Sequence, residues 1–453
     1  MSNSTSAIRA LTQLSVLAAV TIAPLARAAD ADEIAQLRAQ LKALEQKLIA
    51  LEHRQEVQDG RVAVADKGVT LTSADAAGSI KLRGLMQLDS RLFFGDGGGV
   101  VNNAFALRRT RLISEGNLTK NYSFQLVADF GGGTVTMADA NFSVVLSPAL
   151  QLKFGKFKEP IALERLQSDS WTFFNERSMA TNLVPDRDLG VQASGELADK
   201  RVNYAVGVFN GLPDGTSSSN TDFDNEKDLA ARVIVAPFRD AAGSPVQGLT
   251  FGIGGSVGRQ KSAAGRTAAY RTDGQQAFFS YNANTVADGT TWRVSPQFDY
   301  RFGSFGAMGE YVVSTVNLRA SAAGAKTELN NRAWQIAAGY VLTGEDSSYN
   351  GVTPRANFDW AAGAWGAFEV VGHYVDFKID DAAFPLLASA SNNADEARSL
   401  GLGLNWYLSK AIAIKFDYFQ TKFGFSPLAL PVPVLQILRQ DEKALITRFQ
   451  FSF

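Results

Sequence analysis

Apolar and polar side chains alternate along most of the chain. The last eight residues, Ile446 to Phe453, follow the alternation strictly, and strand-sized segments repeat it back to about residue 79. A strand that spans a membrane needs only about 9 to 11 tilted residues, with lipid-facing and lumen-facing side chains in alternation. The pattern therefore predicts an all-β fold in which residues 79–453 form an antiparallel transmembrane β-barrel.

Sixteen segments carry the strand pattern, an even number, as expected for a closed bacterial barrel. The predicted strands are 79–94, 103–118, 120–130, 135–146, 149–158, 187–197, 200–210, 227–236, 248–259, 290–302, 304–316, 329–343, 364–378, 396–408, 411–421 and 440–453. Tight connections alternate with long ones, which assigns short turns to the periplasm and long loops to the exterior. Connections 237–247 and 344–363 would be unusually long periplasmic turns, and residues 274–282 could add a strand.

The best strands also predict which side chains face the lumen. In 290–302, Trp292, Val294 and Phe298 share the face that would contact lipid. The same alternation places five basic side chains on inner faces: Arg232, Arg293, Arg301, Lys415 and Arg448. Charges there require a lumen that holds water, and each one has the alternative of a salt bridge along the wall.

The N-terminus predicts export. Arg9 precedes an apolar run over residues 14–26, and Ala26-Arg27-Ala28 is a small-x-small cleavage site. These features predict a signal peptide over residues 1–28, because the run is too short and too interrupted to span a membrane.

A heptad pattern precedes the predicted barrel. Its apolar positions are spaced alternately three and four residues apart: Ile34, Leu37, Leu41, Leu44, Leu48 and Leu51. This spacing is typical of the seam of a coiled coil and predicts a periplasmic coiled-coil helix over 31–53, with a single amphipathic helix as the alternative. Residues 54–78 are predicted to be a linker of turns and short strands.

Composition excludes several functions. The chain of 453 residues has no Cys, so thiolate metal sites and cysteine nucleophiles are absent. Its 44 Lys and Arg balance 45 Asp and Glu, which leaves no overall basic field for nucleic acid. His53 and His373 are the only histidines, and they lie far apart in sequence. We therefore predict neither an enzyme nor a cofactor.

Several short segments resemble the phosphate-selective porin O and P family. They include Phe105-Ala-Leu-Arg-Arg-Thr-Arg-Leu112, Phe154-Gly-Lys-Phe-Lys-Glu-Pro160 and Pro185-Asp-Arg-Asp-Leu-Gly190, and the resemblance covers about residues 100–453. It implies a trimeric sixteen-stranded porin of the bacterial outer membrane whose third loop, 159–186 here, folds into the pore. Members that select phosphate line this constriction with Arg and Lys.

The resemblance also implies a set of constriction residues. Carried over by motif, they are Arg108, Arg109, Arg111, Asp139, Lys153, Lys156, Lys158 and Arg165. Simple alternation, however, puts Arg109 and Arg111 on the same side as Phe105 and Leu107. These four side chains cannot all face lipid. Either a β-bulge separates them, or the arginines lie at the outer rim and contact lipopolysaccharide or solvent.

The expected partners follow from this resemblance. They are small anions such as phosphate or polyphosphate, outer-membrane lipid and lipopolysaccharide, two further copies of the chain, and the barrel assembly machinery, which reads the terminal Phe of such proteins. Two alternatives remain open. A general or sugar-type porin could use Trp171, Phe173 and Phe174 as an aromatic track, and the barrel could instead serve as a surface scaffold or adhesin.

Overall fold

The computed structural model describes residues 36, 38–49, 61–65, 68–94, 102–427 and 441–453. Residues 38–49 are helical, and the heptad side chains Leu41, Leu44 and Leu48 are 62%, 66% and 59% exposed. No helix among the described residues has the length and apolar character needed to cross a membrane. The predicted signal peptide over 1–28 and the heptad positions Ile34, Leu37 and Leu51 lie outside the described residues.

Two short strands, β1 (Arg61–Ala65) and β2 (Gly68–Thr72), lie within the predicted linker. Sixteen longer strands form the wall, and a separate hairpin consists of β12 (Ala269–Arg271) and β13 (Ala277–Ser280). The wall strands are β3 (Ser79–Phe94), β4 (Ala104–Thr119), β5 (Tyr122–Asp129), β6 (Thr136–Ser147), β7 (Leu150–Lys158), β8 (Arg187–Leu197), β9 (Val202–Phe209), β10 (Asp228–Val235), β11 (Leu249–Lys261), β14 (Val286–Phe302), β15 (Phe305–Arg319), β16 (Lys326–Val341), β17 (Ala367–Lys378), β18 (Glu396–Tyr407), β19 (Ile412–Gly424) and β20 (Asp441–Ser452).

The wall is closed. Each wall strand pairs antiparallel with the next one along the chain, and β20 returns to pair with β3 from Lys443↔Phe94 to Ser452↔Leu85. Closure leaves no free sheet edge, which is the condition for a sheet to exist in lipid. The sixteen-stranded barrel predicted from the alternation is confirmed, and residues 274–282 do not contribute a wall strand because β13 pairs only with β12.

The C-terminus lies inside the sheet. Phe453 exchanges two backbone hydrogen bonds with Gly84, one of 2.9 Å and one of 3.1 Å. Beyond it, β2 continues the ladder along β3, from Val69↔Leu82 to Thr72↔Ser79. A Cβ atom on Gly84 would lie 2.2 Å from the ring of Phe453, so the terminal aromatic residue fits only because position 84 is glycine.

The long connection between β7 and β8, residues 159–186, folds into the lumen; we call it the constriction loop. Wall side chains bind its backbone: Gln297 donates to the Ile161 carbonyl at 2.9 Å, Asn405 to the Phe173 carbonyl at 2.9 Å, and Lys415 to the Thr172 carbonyl at 2.5 Å. A loop with little secondary structure of its own must have its polar backbone groups satisfied by neighbours. The polar inner faces of these strands supply the partners.

A second group of loops fills the space above the constriction loop. The β12–β13 hairpin and the connection 379–395 pack an apolar core inside the loop end of the barrel, where Tyr270, Phe278 and Phe377 are fully buried. From below, the long turn 342–366 places Tyr349 under the constriction loop, and its hydroxyl donates to the Leu163 carbonyl at 2.8 Å. Among the described residues, these loops therefore fill the side of the barrel formed by β14 to β20.

Candidate functional site: a basic constriction in the barrel lumen

A β-bulge in β4 turns three arginines toward the lumen. In the register with β3, Gln87 pairs with Arg109 and Leu88 pairs with Leu107, so Arg108 is the extra residue. Phe105 and Leu107 face outward and are 81% and 52% exposed, whereas Arg109 is 7% exposed. Of the two arrangements that the sequence left open, the structure adopts the bulge.

The arginines of β4 contact carboxylates of the constriction loop. Arg108 binds Glu176 at 2.6 Å, and Arg109 lies 3.3 Å from Asp169. Arg111 pairs with Asp169 as well, and with Asp129 of β5 at 2.7 Å. The bulge and the loop thus bring together three cations from one strand and two acids that lie about sixty residues later in the chain.

Two cavities lie on either side of this cluster. The outer cavity, about 230 Å³, opens toward the long loops and is lined by seven arginines but only three carboxylates. The inner cavity, about 570 Å³, opens toward the short turns and is lined by six Lys or Arg residues and two aspartates. An excess of basic groups in both cavities makes the lumen attractive to anions, although the whole chain is close to neutral.

Three residues line both cavities within the described part of the chain: Arg111, Asp169 and Arg187. They form the wall between the two spaces, and we call them the septum. Arg187 opens β8 and lies 3.8 Å from Asp169, while it binds Asp139 and Asp186 at 3.0 Å each. An ion that crosses from one cavity to the other must pass these side chains.

Two acids of the constriction loop, Asp169 and Glu176, are held ionised by the arginines. Burial alone would raise the pKa of Asp169, but Arg109, Arg177 and Arg111 lower this pKa well below its usual range. Glu176 follows the same rule: Arg108 and Arg448 lower its pKa against the effect of burial. Charged pairs in a partly dry lumen interact more strongly than surface pairs, so these contacts fix the loop against the wall.

The inner cavity contains several of the predicted residues. Lys153 lies over the ring of Phe157, 5.3 Å from its centroid, and Lys158 donates to the Gln167 carbonyl at 2.8 Å. Arg232 and Asp139 also line this cavity, and Arg165 lines the outer one. Seven of the eight residues carried over by motif therefore lie along the two cavities; the exception is Lys156, whose ammonium donates to the Ser218 carbonyl at 2.6 Å.

Four of the five basic residues predicted on inner faces point inward but line neither cavity. Arg293, Lys415 and Arg448 are 2%, 1% and 1% exposed. Arg448 binds Asp89 at 2.6 Å, and Arg293 binds Asp214 at 2.6 Å. Arg301 binds Asp299 at 2.7 Å and covers the ring of Phe173. Arg448 thus forms a salt bridge along the wall, with Asp89 of β3, which was the alternative for such charges. Arg293 also binds Asp228 of β10, and Lys415 donates to the Thr172 carbonyl of the constriction loop.

The sequence did not single out several residues of the cluster. Asp169, Glu176, Arg177 and Arg187 all come from the constriction loop or its exit. Arg187 lies within the segment 185–190 that carried the family resemblance, so a signal for it existed. The acids gave no such signal, because their importance arises only when the loop folds back onto β4.

The closed sixteen-stranded wall, the loop folded into the lumen and the basic constriction together define a porin of the bacterial outer membrane. The family described as "Phosphate-selective porin O and P" matches residues 80–453, and the chain belongs to it. Porin O of Pseudomonas aeruginosa is 25% identical over 388 residues, which cover 78% of this chain and 85% of that protein.

Solved porin structures share the fold. An anion-selective porin from Comamonas acidovorans is 13% identical, with a TM-score of 0.50, and the match covers 83% of this chain and 100% of that one. OmpT of Vibrio cholerae, solved in a trimer form, is 11% identical with a TM-score of 0.50 over 83% of this chain and 100% of its own.

Proposed function

We propose that this porin is a passive diffusion channel for small anions, with phosphate or polyphosphate as the preferred solutes. The observation that carries the proposal is the constriction itself, where the outer cavity has seven arginines against three carboxylates. Arg offers planar, permanently charged donors that match the oxygens of a phosphate group. The name of the family, which includes phosphate selectivity, supports the same solute class.

The order of the cations favours passage over trapping. Arg108, Arg109 and Arg165 line the outer cavity, Arg111 and Arg187 stand at the septum, and Lys153, Lys158 and Arg232 follow in the inner cavity. An ion can leave each site only if the next site offers comparable binding. A series of moderate sites across the constriction therefore lets an anion shed part of its water and still move on.

The working unit is proposed to be a homotrimer. OmpT, which has the same fold, was solved in a trimer form. The exposed leucine seam of residues 38–49 is a second feature that favours association of several copies.

An aromatic sugar track receives no support from the described residues. Phe173 and Phe174 are 6% and 1% exposed and pack in an apolar cluster against the wall. Trp171 lies against Gly351 of the turn below, where an added Cβ atom would be 2.1 Å from its ring. None of the three lines either cavity, so the site favours anions over sugars.

The proposal is tested in a planar lipid bilayer. We would measure the reversal potential in a potassium chloride gradient and then titrate phosphate as a blocker of the chloride current. Anion selectivity with phosphate block is the expected result. Cation selectivity, or no block at any phosphate concentration, would leave a general porin.

The variant Arg108→Ala, Arg109→Ala, Lys158→Ala localises the selectivity. Because these three charges are removed from the lumen, the ratio of anion to cation permeability should fall toward one while the barrel stays folded. The matched control removes three exposed charges near the loop ends of the wall strands β16, β18 and β19, in Arg332→Ala, Arg398→Ala, Lys422→Ala. Equal selectivity in both triple variants would exclude the first three residues from the constriction.

A further inference from the structure

Asp169 lies where four arginine side chains converge. Its carboxylate oxygens are paired with Arg111 and Arg177, and they lie 3.3 Å from Arg109 and 3.8 Å from Arg187. The Asp169 side chain is 2% exposed, and it lines both cavities. Four guanidinium groups converging on one carboxylate form an oxyanion receptor that is already filled by the protein's own side chain.

We propose that Asp169 is a tethered occupant of this receptor, and that a permeating oxyanion crosses the septum by taking the place of the Asp169 carboxylate. The inference rests on the proposed function and extends it to a specific step. The two oxygens of a carboxylate reproduce the spacing of two oxygens of phosphate, so both ligands use the same planar donors. The receptor would accept phosphate and simple carboxylates, while the tethered carboxylate competes with either.

The local structure allows this exchange. Asp169 lies in a turn. Of its two neighbours, Ser168 is exposed and Ser170 is half-buried. The main chain at this position is held independently of the carboxylate, because Gln87 donates to the Asp169 carbonyl at 2.9 Å. Rotation of the Asp169 side chain would therefore open the receptor while the bond from Gln87 keeps the main chain in place at this position.

Competition sets a definite expectation for affinity. A solute that must displace a tethered carboxylate binds more weakly than it would at an empty receptor, which keeps each site weak enough to release its ion. Because hydrogen bonds to charged groups are stronger than neutral ones, the loss of one competing carboxylate should tighten phosphate binding about tenfold or more, and it should slow release to a similar extent.

The test compares wild type with Asp169→Asn in the same bilayer. We expect the half-blocking phosphate concentration to fall about tenfold in D169N, since the amide cannot compete as an anion. Acetate supplies the missing carboxylate in solution, so its addition should raise the half-blocking concentration of D169N back toward the wild-type value. A purely structural role of Asp169 would instead let acetate raise the half-blocking concentration of wild type and of D169N by the same factor.

The control is Asp186→Asn, which also removes one carboxylate of the constriction loop but keeps all three residues of the septum. Asp186 lines only the outer cavity and binds Arg187 from outside the septum. A smaller shift in phosphate block is expected for D186N. Equal shifts in the two variants would mean that net charge alone is responsible, and that result would overturn the inference.

If the wild type is anion-selective but phosphate block is unchanged in D169N, the proposal that Asp169 is a tethered occupant is refuted. The proposed function as an anion channel would still stand. Cation selectivity of the wild type would refute the proposed function first. If D169N does not assemble in chloride, its assembly is titrated with phosphate. Assembly that depends on phosphate supports the exchange, and failure at saturating phosphate rejects it.

Discussion

Arg108 is the residue on which the geometry of the constriction depends most directly. As the extra residue of the β4 bulge, it allows Leu107 to face lipid while Arg109 and Arg111 face the lumen. Its own guanidinium binds Glu176 of the constriction loop at 2.6 Å. One inserted residue therefore both reverses the alternation of a strand and supplies a contact for the loop.

This arrangement predicts an unusual tolerance to deletion. Removal of Arg108 leaves Leu107 followed by Arg109, which restores regular alternation with every other side chain on its present face. We expect the deletion variant to assemble into a barrel, shown by the heat-dependent shift in its gel mobility, with a loss of about 1.5–3 kcal/mol from the bond to Glu176.

Deletion of Leu112, four positions further along β4, is the control. That residue lies in regular pairing with Gly84 of β3. Its removal would therefore turn the side chains of β4 on one side of the deletion to the opposite face of the sheet. The control should fail to assemble. Assembly of both deletion variants, or of neither, would contradict the role assigned to the bulge.

At the scale of elements, the constriction loop is an irregular segment that the wall holds in place. Its α-helical turn, Leu163–Leu166, includes Glu164, which accepts hydrogen bonds from the Ser178 amide at 2.9 Å and from the Gln335 side chain at 3.2 Å. Burial, and after it the neighbouring Glu310, raises the pKa of Glu164 to about 7. The loop is thus docked most favourably when Glu164 carries a proton.

The docking of the loop should therefore depend on pH. The pKa of Glu164 is higher in the docked loop than its ordinary value of 4.5, so the docked state binds the proton more tightly. The stabilisation is complete below about pH 4.5 and is lost as the pH rises through about 7. Hydrogen exchange of loop amides, corrected for intrinsic rates, should show at least about tenfold more protection at pH 5 than at pH 8.

Glu164→Gln tests the assignment. The amide keeps the shape of the protonated carboxyl group and cannot ionise, so protection in E164Q should no longer change between pH 5 and pH 8. If the pH dependence persists in this variant, a different group near the loop is responsible. If wild type shows no pH dependence, the raised pKa has no effect on docking.

On the scale of the whole molecule, the lumen has two unequal halves. The constriction loop crosses the inner face of β14 to β20, and the β12–β13 hairpin packs above it, so that side of the barrel is filled. The two cavities lie on the opposite side, against β3 to β10. A wide sixteen-stranded wall thereby encloses a narrow and eccentric basic path.

The N-terminal helix provides a prediction at the same scale. Leu41, Leu44 and Leu48 form an exposed apolar seam, which association with further copies would bury. We expect deletion of residues 31–52 to weaken the trimer in detergent, as measured by light scattering, while the barrel keeps its heat-dependent gel mobility and its conductance. Loss of the barrel itself in that deletion would instead make the segment part of its fold.

A control keeps the helix and removes only its seam, with Leu41, Leu44 and Leu48 each changed to Gln. Glutamine favours the helix about as well as leucine but cannot form a dry seam. This variant should weaken the trimer to the same degree as the deletion. A trimer that survives these substitutions would show that the seam does not hold the copies together.

The sequence by itself determined the wall. Alternation has a period of two wherever a strand separates lipid from the interior, so all sixteen strands and the inward direction of Arg293 and Lys415 could be read locally. The resemblance of the motif around Arg108 to a porin family predicted basic residues near the pore. The strands and their facing need only neighbouring positions in one strand, whereas the constriction residues needed that resemblance.

The tertiary structure decided what the inward-facing residues do. Whether a charge lines an open cavity, as Arg111 does, or is buried against a loop, as Arg448 is, depends on where residues 159–186 fold after leaving β7. That path is set by contacts with side chains up to about three hundred residues away, such as Arg448 with Asn175. No local pattern contains such pairings, and for this reason Asp169 became visible only among its four arginines.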